Sequence, residues 1–417
     1  MHSSSFDSFR RTTCRICGSD SIYSYINLGD QPPSNSFIAF SEIPKEKTFP
    51  LIVNLCRDCG LSQLSEVVSS EDIFDDYLYL SSTSGALKRH YKSMIDAIIE
   101  EFKLARNSLA VDIGCNDGIT LSCYPKDQYR VLGIEPSSAG KYAIAEGFNV
   151  IQAFFNKEQG KKIREEHGEA EVITATNVFA HVDDIISFAK GVHTLLDDDG
   201  IFVIEFPYLR DMVEQTYFDT IYHEHLSYFA LTPLTRLFRD TGMRAFHVIH
   251  VDVGASGPAL RLFVCRNESS HKNRKTITNM LEDEKKWGIT RPERYDHFAA
   301  KVSKIRETLK RMIKALNKQG SKVGAFGAPA KGNTLLNYVG LTADEIMAVA
   351  ENNELKVGKV TPGSHIPIVS DDEFLDADIP YAVLLIWNYA DFFLKNSEYI
   401  KRGGKFIIPL PQCVIKP

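Results

Sequence analysis

The chain lacks any apolar run near the ~20 residues that span a bilayer, so no transmembrane helix is expected in its 417 residues. Its start, MHSSSFDSFRRTTC, lacks the apolar stretch of a secretory signal, so none is expected. Positive charge is not in excess. The formal charge of −6 gives no general attraction to nucleic acid, and no nucleic-acid or membrane partner is expected. Cysteine is sparse and unevenly spaced, eight in all, which does not make a disulfide framework in a chain of this size. Internal repeats are missing, and the only biased tract is the serine-rich start. With 44% hydrophobic residues, the expectation is a soluble, cytoplasmic protein of two or three domains.

Four of the cysteines form two pairs, Cys14-Arg-Ile-Cys17 before Gly18 and Cys56-Arg-Asp-Cys59 before Gly60. Each C-x-x-C turn points two thiolates at one centre, and two such turns complete a tetrahedral sulfur site suited to Zn2+. A redox motif would need one C-x-x-C beside a βαβ unit. With all four ligands supplied by protein, the metal is structural. Cys115, Cys123, Cys265 and Cys413 are expected to be unpaired thiols.

Leu109 to Gly118 reads as an apolar strand running into a glycine loop, with a helix expected from Ile119. A second strand, 129–135, ends in Glu135, the spacing of a site where glycines admit a cofactor backbone-close and an acid takes ribose hydroxyls. The loop reads D-x-G-x-N-D-G, not G-x-G-x-x-G, and resembles the first motif of class I S-adenosylmethionine methyltransferases. On that resemblance Asp112, Gly114, Cys115, Asn116, Gly118, Glu135 and Pro136 are the expected cofactor residues.

Strands and helices then alternate: helix 137–146 and strands 149–151, 171–175 and 200–205, which implies a parallel sheet. Ligands of such sheets lie beyond the carboxyl ends of the strands. Asn177, His181, Glu205 and Tyr208 follow such ends. Asn177 and Phe179 are expected in the cofactor-pocket wall, and His181 either takes part in catalysis or caps the next helix.

Ile221 to Leu231, IYHEHLSYFAL, holds two histidines, a glutamate and two tyrosines among apolar residues. A metal reading of His223-Glu-His225 is disfavoured on spacing, because residues i and i+2 lie about 200° apart on a helix and the H-E-x-x-H pattern that puts two histidines on one face is i, i+4. Past Arg266 a charged stretch is divided by Gly288 and Pro292 into two expected helices. Strand 321–326 then meets Gly327-Ala-Pro-Ala-Lys-Gly-Asn333, with a helix expected over 333–339 and further strands at 346–350, 381–386 and 405–408. This second strand–loop–helix unit could hold a phosphate, with Lys331 as counter-charge.

Taken with Tyr79-x-Ser-Ser-x-Ser84, Glu205-Phe-Pro-Tyr208, Pro362-Gly-Ser-His-Ile-Pro367 and Trp387-Asn388, these motifs make nearly the whole chain resemble the sugar C-methyltransferases of deoxysugar biosynthesis. The resemblance implies an α/β fold: a doubly wound class I methyltransferase sheet, a small N-terminal zinc domain and a C-terminal Rossmann-like α/β domain. The expected domains are 1–75, 76–266, a helical linker 267–318, and 319–417. The implied reaction moves a methyl group from S-adenosyl-L-methionine to a carbon beside a ketone, typically C3 of a nucleotide-linked 4-keto-6-deoxysugar. Such a carbon must first lose a proton, which calls for a base and an oxyanion partner.

His225 is the expected base. Tyr222 and Glu224 would orient it or handle the oxyanion, and Tyr79 would close over the substrate. Tyr208, Arg261, Lys331, Asn333, Trp387 and Asn388 are the expected substrate contacts. In place of a Gly-Gly-Ser-Leu-Arg-like strand this chain reads Ala255-Ser-Gly-Pro-Ala-Leu-Arg261, a departure that bears on which sugar it takes. A monomer or weak oligomer is expected. Two alternatives stand beside the implied reaction: N- or O-methylation of a nucleotide sugar, and a zinc-ribbon RNA- or protein-binding module on a vestigial methyltransferase fold.

Overall fold

The computed structural model describes residues 8–69, 73, 80–83, 85–254 and 257–417. Tyr79, Ser84, Ala255 and Ser256 lie outside them.

The seven-stranded central sheet runs, edge to edge, Met243–Gly254, Gly257–Arg266, Leu196–Pro207, Ala170–Thr176, Leu109–Ile113, Arg130–Ile134 and Asn149–Ile151. Every pairing is parallel except those of Gly257–Arg266, which is antiparallel to both neighbours. The central strands are apolar without alternation because helices cover both faces. The helices Lys157–His167 and Ile185–Leu195 pack closely through glycine. A Cβ on Gly160 would stand 2.4 Å from the Gly191 carbonyl oxygen.

The helix expected from Ile119 is replaced by one short turn, Leu121–Cys123. Ser122 Oγ and Cys123 Sγ both bond back to the Ile119 carbonyl, and Pro125 disfavours helical backbone at Tyr124. The helix expected at 137–146 shortens to Gly140–Ala145. The one expected at 333–339 begins at Ala330, so Lys331 and Asn333 sit in its first turn rather than in the loop before it. Gly288, in the left-handed region at φ 88°, ends the helix Lys275–Trp287, and Pro292 opens Pro292–Lys318.

The C-terminal sheet has six strands in the order Ile368–Val369, Val349–Ala350, Val323–Phe326, Tyr381–Leu384, Lys405–Ile408 and Val414–Lys416. The first five are parallel and the last is antiparallel.

The N-terminal sheet is antiparallel and four-stranded: Ile22–Gln31, Phe49–Cys56, Ser62–Leu64 and Ser227–Tyr228. Its fourth strand comes from the histidine-bearing segment, some 160 residues on, so the sheet crosses the boundary expected at residue 75. Three regions of the chain meet around residues 218–228. Asn35 Nδ2 donates to Glu224 Oε1 (3.0 Å), and Thr334 Oγ1 donates to the Ile221 carbonyl (2.9 Å).

Candidate active site and metal centre

Each cysteine pair turns on a glycine. Gly18 N–H donates to the Cys14 carbonyl and Gly60 N–H to the Cys56 carbonyl, both at 2.9 Å, with φ of 70° and 81°. The turns bring all four Sγ atoms within 4.8 Å of one another, with Cys14–Cys59 at 3.4 Å and Cys17–Cys56 at 3.6 Å. A tetrahedral zinc–sulfur site, with bonds of ~2.3 Å, needs sulfurs about 3.8 Å apart. The cluster fits that requirement. Among the described residues it is the only group of three or more Cys, His, Asp or Glu placed to hold a metal ion.

The loop after Leu109–Ile113 is built to admit a ligand closely. Gly114 has φ 72°, and a Cβ there would meet Val178 Cγ2 at 2.2 Å. Buried Asp112 accepts from Thr174 Oγ1 (2.6 Å), and burial pushes its carboxyl up to about 7. Glu135 accepts from Asn116 N–H (2.8 Å) and Ser137 N–H (2.9 Å), which clamps the loop to the end of the second strand. A carboxylate has lone pairs beyond those two bonds, as ribose hydroxyls require. Asn116 and Asp117 side chains reach the Ser81 and Ser82 N–H groups, tying the segment 80–83 across the loop. Cys115 is buried beneath it, Gly118 has φ 85°, and Pro136 is exposed. Asn177 follows its strand with φ 58° and donates to the Tyr91 hydroxyl. Phe179 is placed otherwise than expected. It is fully buried among Phe188, Phe202, Phe229 and Phe238, so it supports the wall from behind rather than lining it.

In the segment 221–231, the Thr220 carbonyl accepts from His225 Nδ1 (2.9 Å). That bond leaves Nε2 with the lone pair, and the Tyr222 hydroxyl donates to it at 2.8 Å. The His181 ring lies 5.0 Å from the His225 ring, centroid to centroid. Burial lowers His225 to about 4 and His181 well below its usual value, so both rings are neutral. His223 points the other way, its ring 6.0 Å from Phe49 of the N-terminal sheet. Glu224 is buried and meets Asn35. Among the described residues no hydrogen bond joins it to His225.

The expected substrate contacts are placed unevenly. Lys331 is buried, stands 4.3 Å from the Trp387 ring centroid and donates to Asn388 Oδ1. Burial lowers its ammonium to about 8 and raises buried Asp219 to about 6, and attraction within this pair opposes both shifts. Trp387 Nε1 donates to Asp219 Oδ2 (2.5 Å), and Asn333 Nδ2 donates to the Ser34 carbonyl (2.7 Å). Arg261 is turned onto Glu205 (3.0 and 2.9 Å), which also holds His90 (2.7 Å). Tyr208 is not brought to this site. Its hydroxyl donates to buried Glu284 (3.0 Å). Thr220, Asp219, Asn35 and His90 were not expected from the sequence. Each acts through a partner distant in the chain or through its backbone, so no motif marks it.

This loop, its clamping acid and the thiolate cluster define an S-adenosylmethionine-dependent methyltransferase with a structural zinc site. Three family models match in succession: a putative zinc binding domain over 14–74, a methyltransferase domain over 87–248 and a C-methyltransferase C-terminal domain over 254–411. The chain belongs to the C-methyltransferase family: it is 34% identical to the C-methyltransferase NovU of Streptomyces niveus over 402 residues, 96% of this chain and 95% of that one. This relationship speaks against a vestigial binding module. Solved methyltransferases align with part of the chain. The plantazolicin methyltransferase BpumL covers 45% of this chain and 88% of its own, at 15% identity and TM-score 0.35. Magnesium protoporphyrin IX methyltransferase (ChlM) from Synechocystis PCC 6803 covers 43% and 79%, at 12% identity and TM-score 0.32.

Proposed function

We propose that the protein methylates a carbon alpha to a ketone in a nucleotide-linked keto-deoxysugar, C3 of a 4-keto-6-deoxysugar. The observation that carries this reading is the tautomer of His225. Its Nδ1–H is committed to the Thr220 carbonyl, so a neutral Nε2 with a lone pair faces Tyr222 beside His181. A carbon acid has no lone pair and must lose a proton before it can attack, and this arrangement supplies a base for that step.

S-adenosylmethionine, when bound, supplies an electrophilic methyl group. Asp112, Gly114, Asn116, Gly118, Glu135 and Asn177 hold it. His225 Nε2 takes the alpha proton, and the Tyr222 hydroxyl turns from Nε2 to the developing enolate oxygen. The carbon's electron pair would then take the methyl group as its bond to sulfur breaks, with S-adenosylhomocysteine as the leaving group. Lys331, Trp387, Asn388 and Asn333 hold the nucleotide portion from the C-terminal domain.

The test is solvent-deuterium exchange at the alpha carbon with S-adenosylhomocysteine bound, using the member of a nucleotide 4-keto sugar panel that mass spectrometry shows to be methylated. The wild type exchanges, and His225→Ala does not, with turnover down about 10²–10⁴-fold. Wild-type exchange in His225→Ala would sink the assignment. A product methylated on nitrogen or oxygen would sink the carbon-acid reading.

A further inference from the structure

The zinc knuckle reaches the catalytic region by two routes. The first is Arg15, which stands between the ligands Cys14 and Cys17 and has a side chain 0% exposed. Its Nε donates to Asp183 Oδ1 (3.0 Å), and its Nη1 donates to the Leu64 carbonyl (2.9 Å). Arg11 grips the other oxygen of Asp183 (2.8 Å). Asp183 lies two residues past His181, in the short connection between the turn Phe179–His181 and the helix Ile185–Leu195. That helix is already capped by Asp184, whose side chain accepts from Ser187 N–H, so Asp183 is not needed for the cap.

The second route is Gln63. Its side chain accepts from Arg15 N–H (2.9 Å) and donates to the Thr13 carbonyl (3.0 Å), holding the first knuckle. Its backbone pairs with Ser227, two residues past His225. One knuckle is thus fastened close behind both histidines.

We propose that Arg15 and Asp183 are positioning residues for methyl transfer: the zinc-folded knuckle aims Arg15 at Asp183 and so sets His181 against His225. This inference rests on the placement of His181 in the reacting site argued above. A closed metal site has no position for substrate, so its influence on turnover travels through the protein. A guanidinium on a carboxylate is a directional contact, able to fix a loop where a simple apolar contact would let it slide. A shift of about 1 Å at a reacting group can cost about 100-fold in rate.

The test uses the zinc-loaded full-length enzyme and the variants Asp183→Asn and Arg15→Gln. Each should keep its zinc and its KM for S-adenosylmethionine, while kcat falls about 10- to 100-fold. The double variant should be no slower than the slower single one, since both act on one path. The His181 ring resonances, assigned with His181→Ala, should move in both singles with S-adenosylhomocysteine bound. Wild-type kcat in Asp183→Asn, or an unmoved His181 signal, overturns the inference. Wild-type kcat in His181→Ala instead overturns the placement of His181 in the reacting site. Should Asp183→Asn fail to fold, Arg15→Lys carries the test. It keeps the charge, but its single ammonium cannot serve both Asp183 and the Leu64 carbonyl. It is expected to show the same loss of kcat with zinc and the KM for S-adenosylmethionine retained, and wild-type kcat there overturns the inference.

Discussion

His223 and His225 are two residues apart and serve different surfaces. His225 faces Tyr222 and His181, and His223 faces Phe49. His223 and Glu224 form a turn rather than a strand, so the two rings leave the chain in different directions. Burial lowers His223 to about 4 from an ordinary 6.5. The unfolded chain therefore binds a proton that the folded one refuses between those values. The stability due to this residue is fully present above about pH 6.5 and is lost as pH falls through 4. At ~1.4 kcal/mol per unit, the histidine contributes on the order of 3 kcal/mol of acid sensitivity. His223→Phe, similar in shape and without a titrating group, should unfold with a shallower dependence on pH between 4 and 6.5. Urea titrations at several pH values measure it, and an identical slope in the variant would contradict the burial argument.

The helix Leu231–Asp240 starts at Ala230, which offers no capping side chain. Glu284, from the charged region past residue 266, supplies the cap from outside. Its carboxylate accepts from Leu231 N–H (2.7 Å), Thr232 N–H (2.7 Å), Thr232 Oγ1 (2.5 Å) and the Tyr208 hydroxyl (3.0 Å). The residue is fully buried, and burial raises its pKa. A helix N-terminus welcomes a negative group, and these bonds justify an acid in the core. Glu284→Ala leaves the two amides and two hydroxyls without an acceptor, at ~1–3 kcal/mol for each group that water does not reach. Destabilisation by about 3 kcal/mol or more is expected in denaturant melts. A loss below about 1 kcal/mol would mean that the cap matters little.

At the scale of the molecule, the N-terminal and C-terminal domains both close on the segment 218–228. Glu46 accepts from Gly363 N–H (3.0 Å) and bonds His365 (2.7 Å), joining the two terminal domains directly. Since the N-terminal sheet includes Ser227–Tyr228, losing the metal should reach beyond residue 69. Cys56→Ser is expected to lose about one equivalent of zinc and to raise hydrogen exchange in residues 22–64, because metal binding and local folding are linked. Exchange should rise at Ser227 and Tyr228 as well. Metal analysis with hydrogen-exchange mass spectrometry checks both parts, and full protection at 227–228 would uncouple the metal from the active site.

The zinc ligands, the glycine loop, its acid and the α/β alternation were legible in the sequence because each is local. A C-x-x-C-G turn or a strand ending in glycine fixes its geometry within a few residues through backbone sterics alone. The Ile119 helix was misjudged although its causes are also local. Two side chains bonding back to one carbonyl, just before a proline, outweighed the helical pattern. What only the tertiary structure decided lies in pairs far apart in the chain. Asp183 answers Arg15 168 positions away, Glu284 caps a helix some fifty residues before it, and Trp387 bonds Asp219. Phe179 entered the aromatic core although its place after a strand suggested a pocket wall. Such partners are selected by packing three sheets against one segment. Burial then makes each polar group costly unless another part of the chain satisfies it.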